Sequence, residues 1–556
     1  MTSAKDTPMR TIDAIAQILK KEGIEYLSAF PTTPIIEAAA DAGIRPIICR
    51  QERVGVGIGD GYSRVTNGNP AGVFAMQYGP GAENAYAGVA TAFSDAVPML
   101  LLPLGHPRER DGIYPHYSSL RSYASVTKQI EQINVPERIV ETMRRSFAAL
   151  KRGRPGPVMV EVPADVATAE VPDNIVAGYS PVKPAVAAGN PTDIQAAARA
   201  LLNAENPVIH AGQGVMYAGA TDELVEFADL TQIPVMTTMA GKSAFPEKHP
   251  LALGSGSGVM NRACYQFVSR ADVVFGIGTS FTQHGMTMSV PAGKTLIHAT
   301  NDPIDIDKNY SIDHPILGDA KLVLRQFIDA CKDILGGGRR GDGSVAEEIA
   351  SVRQEWLDEW MPTLTSNQNP ITPYRVIWEF MQNVNSDDAI VTHDSGSPRD
   401  QIMPFYQAGG PRTYLGWGKS HGLGTGLGLN IGAKLAAPDK FVVNFMGDAA
   451  FGMVGLDFET AVRSNIPILT VVFNNSTMAI ETDAMELSHN LYGTRDLGGS
   501  YANLGRDMGG WSERVVDPAE VAPAILRAKA ATENGEAALL EFITNEERAF
   551  SHRRPF

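Results

Sequence analysis

Short apolar runs alternate along this chain with stretches whose apolar residues recur at helical spacing. Runs of strand length occur at 46–49, 72–76, 99–104, 158–162, 208–211, 273–277 and 295–299, and again at 441–448 and 467–475. Their length and β-branched content predict buried strands. Ile12, Ile15, Ile18 and Leu19 describe one face of an amphipathic helix, and 452–463 carries apolar residues at the same period. Strands alternating with helices predict parallel sheets joined by crossovers, an α/β fold. Two stretches read as linkers: 171–191, rich in Pro, Ala and Gly, and 335–344, with its cluster of glycines. They divide the chain into three parallel-sheet α/β domains, expected at 1–170, 192–335 and 365–556. No short-period repeat is visible, although the outer thirds are compatible with two distant copies of one design.

The length of 556 residues exceeds what one hydrophobic core supports and calls for several domains. A net charge of −15 with no long basic run argues against nucleic acid as a partner. Cys49, Cys264 and Cys331 are far apart and odd in number, giving neither a disulfide framework nor a metal-ligand spacing, so a reducing cytoplasm is expected. The N-terminus shows no signal-peptide pattern. The longest apolar run is interrupted by Pro98 and Pro103 and is too short to span a bilayer, so no membrane association is expected.

Asp448 and Asn475 each end an apolar run, with a helical pattern between them. In a βαβ unit the strands are parallel and ligands gather at their carboxyl ends, so the two residues should share one crevice. A carboxylate, an amide oxygen and a backbone carbonyl suit a hard cation such as Mg²⁺, which also binds phosphates. Gly447-Asp448 followed at this interval by Asn474-Asn475 resembles the signature of thiamine diphosphate (ThDP) enzymes, in the acetolactate synthase and pyruvate decarboxylase family. The resemblance covers essentially the whole chain. It extends to Gly153-Arg154-Pro155-Gly156-Pro157, to Gly241-Lys242-Ser243-Ala244-Phe245-Pro246 with His249-Pro250, and to Gly318-Asp319-Ala320-Lys321. It implies a pyrimidine-binding, a middle and a diphosphate-binding domain. It also implies a Mg²⁺ held by Asp448, Asn475 and the Thr477 carbonyl, with the backbone of Gly447 and Ala449 beside the cofactor.

Further site residues follow from the same resemblance. Glu52 matches the glutamate that shares a proton with the aminopyrimidine ring and so promotes loss of the thiazolium C2 proton. Gly79 and Asn84, in Gly79-Pro80-Gly81-Ala82-Glu83-Asn84, match a cofactor-binding loop. Ser395, Gly396 and Ser397 match the loop that caps the diphosphate, although Ser397 and Pro398 stand where relatives carry Gln and His. Leu423 matches the bulky apolar support of the bent cofactor. Ile480-Glu481 resembles the decarboxylase pattern in which the glutamate handles protons after CO₂ leaves. His116 falls where those decarboxylases carry an adjacent histidine pair, absent here, and His421 is a second candidate proton carrier. Thr32 and Thr33 replace pocket residues of relatives.

Two departures bear on the acceptor. Acetolactate synthase carries Phe-Asp-Asp-Arg in its middle domain, whose Arg binds the second 2-oxo acid, whereas this chain reads Phe281-Thr282-Gln283-His284. Ala484 replaces a Trp after the metal motif. A bidentate carboxylate clamp is thereby lost. The expected function is a Mg²⁺- and ThDP-dependent decarboxylase or carboligase of 2-oxo acids, with an aldehyde as a further acceptor. The resemblance further implies that the ThDP lies between the first third of one subunit and the last third of another, in a homodimer or dimer of dimers. An acetolactate-synthase-like transferase and a 2-hydroxyacyl-CoA lyase or oxalyl-CoA decarboxylase stand as alternatives, and FAD, ADP or CoA in the middle domain is left open. A dinucleotide-dependent oxidoreductase is disfavoured, because Gly212-Gln213-Gly214 lacks the third glycine of that fingerprint.

Overall fold

A computed structural model describes residues 9–31 and 33–552, so Thr32 lies outside the described residues. The chain divides into two compact units. The first holds the N-terminal part through Ala185 together with 424–439 and 454–466, and the second holds the remainder.

In the first unit, β1 (Tyr26–Ala29), β2 (Arg45–Ile48), β3 (Gly72–Met76), β4 (Met99–Gly105), β5 (Gln129–Gln132) and β6 (Val158–Pro163) form a parallel sheet in the order β2-β1-β3-β4-β6-β5. The helix expected around Ile12 to Leu19 runs over Thr11–Lys21 and buries all four of those residues. The helix Glu52–Thr66 packs backbone to backbone on the helix Gly426–Ala436. A Cβ on Gly61 would lie 2.3 Å from the Leu429 carbonyl oxygen, and one on Gly432 would lie 2.0 Å from that of Ile58. Only glycine permits this approach.

The helical pattern at 452–463 is not one helix. Helix Asp448–Val454 gives way to a 3₁₀ turn, Gly455–Asp457, and then to helix Phe458–Arg463. At the break the buried Asp457 carboxylate accepts hydrogen bonds from the Arg50 backbone N–H at 2.7 Å and from the Thr460 hydroxyl at 2.9 Å, which ties the turn to the chain after β2.

The second unit contains two further six-stranded parallel sheets. In one, β7 (Val208–Ala211), β8 (Val235–Thr238), β9 (Ala252–Gly256), β10 (Val273–Ile277), β11 (Thr295–Thr300) and β12 (His314–Leu317) are ordered β9-β8-β7-β10-β11-β12, a doubly wound, dinucleotide-type order. In the other, β13 (Ala389–His393), β14 (Tyr414–Leu415), β15 (Phe441–Gly447), β16 (Leu469–Asn474), β17 (Trp511–Val515) and β18 (Ala538–Ile543) are ordered β14-β13-β15-β16-β18-β17. That order repeats the first sheet strand for strand, as two copies of one design would. All the apolar runs read as strands are strands. Among the described residues no helix is long and apolar enough to cross a membrane.

The Gly241 to Pro246 motif is structural in this fold. Lys242 is buried, and its ammonium lies 2.6 Å from each oxygen of the buried Glu247 carboxylate, which also accepts the Ala408 backbone N–H at 2.8 Å. Removing one partner would strand the other charge away from water.

The sheet of β7 to β12 also buries two histidines. His210 on β7 and His298 on β11 both stand opposite Gly276 of β10, and the Phe281 ring fills the space over that glycine, 5.6 Å from His210 and 4.8 Å from His298. His298 donates from Nε2 to the Thr279 carbonyl at 2.9 Å, whereas neither His210 ring nitrogen has a hydrogen-bond partner among the described residues. Burial first, and the neighbouring His298 second, push the His210 pKa down to about 4.

The folded protein therefore holds His210 neutral where the unfolded chain takes up a proton. Stability is fully present above pH 6.5 and is lost progressively as pH falls toward about 4. Between pH 7.5 and 5 this group should cost on the order of 2 kcal/mol. Urea titrations at both pH values should show a loss smaller by that amount in His210→Phe, and equal losses in both proteins would exclude His210 as the source.

Candidate cofactor and metal site

In the second unit the site grows out of the pairing of β15 with β16. Gly447 is in register with Phe473, so Asp448 and the Asn474-Asn475 pair leave neighbouring parallel strands at the same level. Asp448 opens the helix Asp448–Val454 and is buried. Its carboxylate accepts backbone N–H bonds from Ala449 and Ser476, each at 2.8 Å. The Asn475 side-chain oxygen accepts the Thr477 N–H at 3.1 Å, and Asn474 turns away to donate to the buried Glu541 at 2.7 Å. Ser476 takes a positive φ of 56°, which aims its N–H at Asp448. Burial pushes the Asp448 pKa up to about 6, opposed by the backbone N–H groups around it.

A buried carboxylate that the chain does not neutralise, beside an amide oxygen and a backbone turn, is a donor set fitted to a hard cation. Among the described residues no group of three His, Cys, Asp or Glu side chains is arranged for a metal, so this mixed set stands apart from a His- or Cys-rich centre. A Cβ on Gly447 would meet nothing within 4 Å, and one on Gly396, which has φ +95°, would meet only the Pro398 ring at 3.9 Å. Both positions leave open space beside the strand ends, room of the kind a diphosphate occupies. Ala449 is half-buried on the helix started by Asp448.

The Asp394 loop is less available than its sequence suggests. Ser397 begins a short helix, Ser397–Ile402, and the buried Ser395 donates its hydroxyl to the His421 carbonyl at 2.8 Å. His421 itself is exposed with a φ of 33°, and its ring centre lies 5.7 Å from that of His284. Leu423 is half-buried on the same loop. Glu481 is exposed on the 3₁₀ turn Ala479–Glu481, within an excursion closed by the pairing of Thr477 with Asp496. The same excursion exposes Leu487, Leu491 and Tyr492.

In the first unit, Glu52 is the first residue of its helix and is only 4 % exposed. Burial raises its pKa above the ordinary glutamate value, and its own backbone N–H and Asn84 oppose the shift. Asn84 Nδ2 donates to Glu52 at 3.3 Å from the helix Pro80–Ser94, which Gly79 caps at a φ of 63° with open space around it. The structure thus brings Gly79, Asn84 and Glu52 to one place. His116 is exposed and has a histidine neighbour in space: His106, just past β4, stacks on it at 4.8 Å and lies tilted 4.7 Å from the Tyr78 ring. The two histidines stand ten positions apart on the connection after β4, a spacing unlike the adjacent pair of the motif. Below them Glu161 is buried, accepting hydrogen bonds from Ser119 and from Gln132, the latter at 2.8 Å. Burial raises its pKa. It was legible only as the acidic end of the strand after Gly153-Arg154-Pro155-Gly156.

Comparison with known proteins adds three domain matches, all described as thiamine pyrophosphate enzyme: an N-terminal TPP binding domain over 9–132, a central domain over 194–327 and a C-terminal TPP binding domain over 394–542. The chain is 31% identical over 575 residues to a probable acetolactate synthase large subunit of Methanocaldococcus jannaschii, covering 97% of this chain and 93% of the relative. It is 27% identical to the acetolactate synthase isozyme 3 large subunit of Escherichia coli K12, covering 83% of this chain and 82% of the relative. It is also 27% identical to a glyoxylate carboligase of Escherichia coli O157:H7, covering 94% and 91%.

Proposed function

The chain belongs to the acetolactate synthase family of thiamine pyrophosphate enzymes, and from that premise we propose a Mg²⁺-dependent enzyme that breaks and forms the bond beside the carbonyl of a 2-oxo acid, as a decarboxylase or carboligase. The observation that carries this reading is the meeting of Asp448 and Asn475 at adjacent strand ends around an uncompensated buried carboxylate. Thiamine diphosphate, when bound, supplies the carbon centre that holds the electron pair released by the cleaved bond. Asp448, Asn475 and the Thr477 carbonyl would hold the cation, and Ser395, Gly396, Ser397, Gly447 and Ala449 would receive the diphosphate. Leu423 would support the cofactor.

Glu52, oriented by Asn84 beside Gly79, holds a proton more readily than an exposed glutamate and would share it with the aminopyrimidine nitrogen. His116, His421 and Glu481 are the remaining candidates for proton handling at the substrate. We take 1–170, 192–335 and 365–556 as the three domains, and a homodimer or dimer of dimers in the cytoplasm as the working form. A transferase with 2-oxo acid acceptors is the second reading, favoured by the relatives' names and weakened by His284 and Ala484 standing where acetolactate synthase carries Arg and Trp.

Asp448→Ala and Asn475→Ala should each lose saturable ThDP binding in calorimetric titration while keeping the wild-type circular dichroism spectrum, because the diphosphate loses its bridging cation. Unchanged affinity in both variants would remove the metal site.

Glu52→Ala should still bind ThDP but exchange the cofactor's C2 proton about 10²- to 10⁴-fold more slowly, as expected for a lost proton-transfer group. NMR-monitored exchange in deuterated buffer at the wild-type rate would reduce Glu52 to a structural role.

A further inference from the structure

The segment 335–344, read from its glycines as a linker, closes one side of a cavity in the second unit. The cavity has a volume of about 320 Å³ and lies at the N-terminal ends of β7 and β8, where Val208 begins one strand and Pro234 precedes the other. Nucleotides in sheets of this order bind at the opposite, carboxyl ends of the strands, so a ligand here is of another kind. Much of the lining is apolar: Val208, Pro234 and Phe267 are buried and Val345 is half-buried.

One cation on this lining has no counter-charge. Arg340 is half-buried and tied down at two points, its backbone N–H donating to the Leu230 carbonyl at 3.1 Å and its Nη2 to the Ala204 carbonyl at 2.7 Å. Among the described residues it forms no ion pair. Asp272 acts on it only through space, because that carboxylate is engaged by the backbone N–H groups of Glu205, Asn206 and Val273 at 2.7 to 2.9 Å. Nε, Nη1 and one proton of Nη2 are left as donors, enough for the two-pronged grip a guanidinium gives a carboxylate. The second arginine is already matched: Arg270 lies 4.1 Å from the centre of the Phe267 ring and pairs through both Nη1 and Nη2 with Glu348. Two exposed acids, Glu205 and Asp342, also line the cavity, and Asp342 is held there by the Ser344 N–H at 3.0 Å. A dianion such as a phosphate would be repelled by both, whereas one negative charge is balanced by Arg340. We propose that this cavity binds a small monocarboxylate with an apolar body, its carboxylate on Arg340 and its hydrocarbon part on Val208, Pro234, Phe267 and Val345. The site shares no residue with those that would hold the cofactor, and it stands or falls independently of them.

Phenylacetate is the probe, titrated calorimetrically into the full chain with and without ThDP and Mg²⁺. Phenylacetamide is its neutral counterpart, acetate the carboxylate without the ring, and phenylphosphonate in mildly alkaline buffer the dianion. Phenylacetate should bind saturably with an affinity that ThDP changes by less than about twofold, at least tenfold more tightly than each of the other three, as the loss of a charge-assisted hydrogen bond or of the apolar body requires. Amide hydrogen exchange over 340–346 should slow when it binds. Arg340→Gln should bind phenylacetate at least tenfold more weakly, and Arg340→Lys, which keeps the charge and loses the fork, should fall between it and wild type, both with the wild-type circular dichroism spectrum. No saturable binding of phenylacetate at millimolar concentration, equal affinity for phenylacetamide, tighter binding of phenylphosphonate, protection confined to residues outside 340–346, or wild-type affinity in both Arg340 variants would each overturn the proposal.

Discussion

The in-step parallel pairing of β15 and β16 is the constraint on which the rest of this molecule depends. Because Gly447 stands opposite Phe473, the two chains turn out of the sheet at one level, and a carboxylate meets an amide without any long-range loop having to bring them together. A one-residue slip would send Asp448 to the other face and leave its charge stranded in the core. The register is fixed from both sides, since β15 is also paired over five residues with β13 and β16 over six with β18. The site is thus built on the least deformable part of its sheet.

Buried charge separates structure from chemistry in this chain. Lys242 and Glu247 are desolvated together, and the carboxylate is further occupied by a backbone N–H, so nothing remains for a ligand. Asp448 and Glu52 are desolvated alone. Each has only neutral hydrogen-bond donors, and each is driven toward its protonated form by burial. Such groups cost folding free energy, and a chain retains that cost where an external cation or a proton-sharing partner can offset it. The glycine-to-glycine contact between the Glu52–Thr66 and Gly426–Ala436 helices positions Glu52, as the sheet positions Asp448.

The strands and the meeting of Asp448 with Asn475 were legible in the sequence because both depend on local signals: continuous β-branched runs, and residues at the ends of those runs. The break at Gly455–Asp457 was not, and the bond found there, from the Arg50 N–H to Asp457, joins residues remote in sequence. The meeting of His284 with His421 was hidden for the same reason, as loop ends from different strands share no periodicity. Glu481 shows the converse limit. Its motif was easy to see, yet the structure leaves the residue exposed on an excursion, so the spacing carried its name and not its surroundings.

All three cysteines are buried, and burial raises each thiol well above its ordinary pKa, to about 12 for Cys264 and Cys331. At neutral pH the native protein presents almost no thiolate, and thiolate is what reacts. The folded molecule is in effect silent toward maleimides and haloacetamides. A single cysteine placed on an exposed position, such as Tyr492, would therefore be chemically unique without removal of any native residue. A dye or spin label could then be attached to the excursion beyond Asn475, and its motion followed against a dark background.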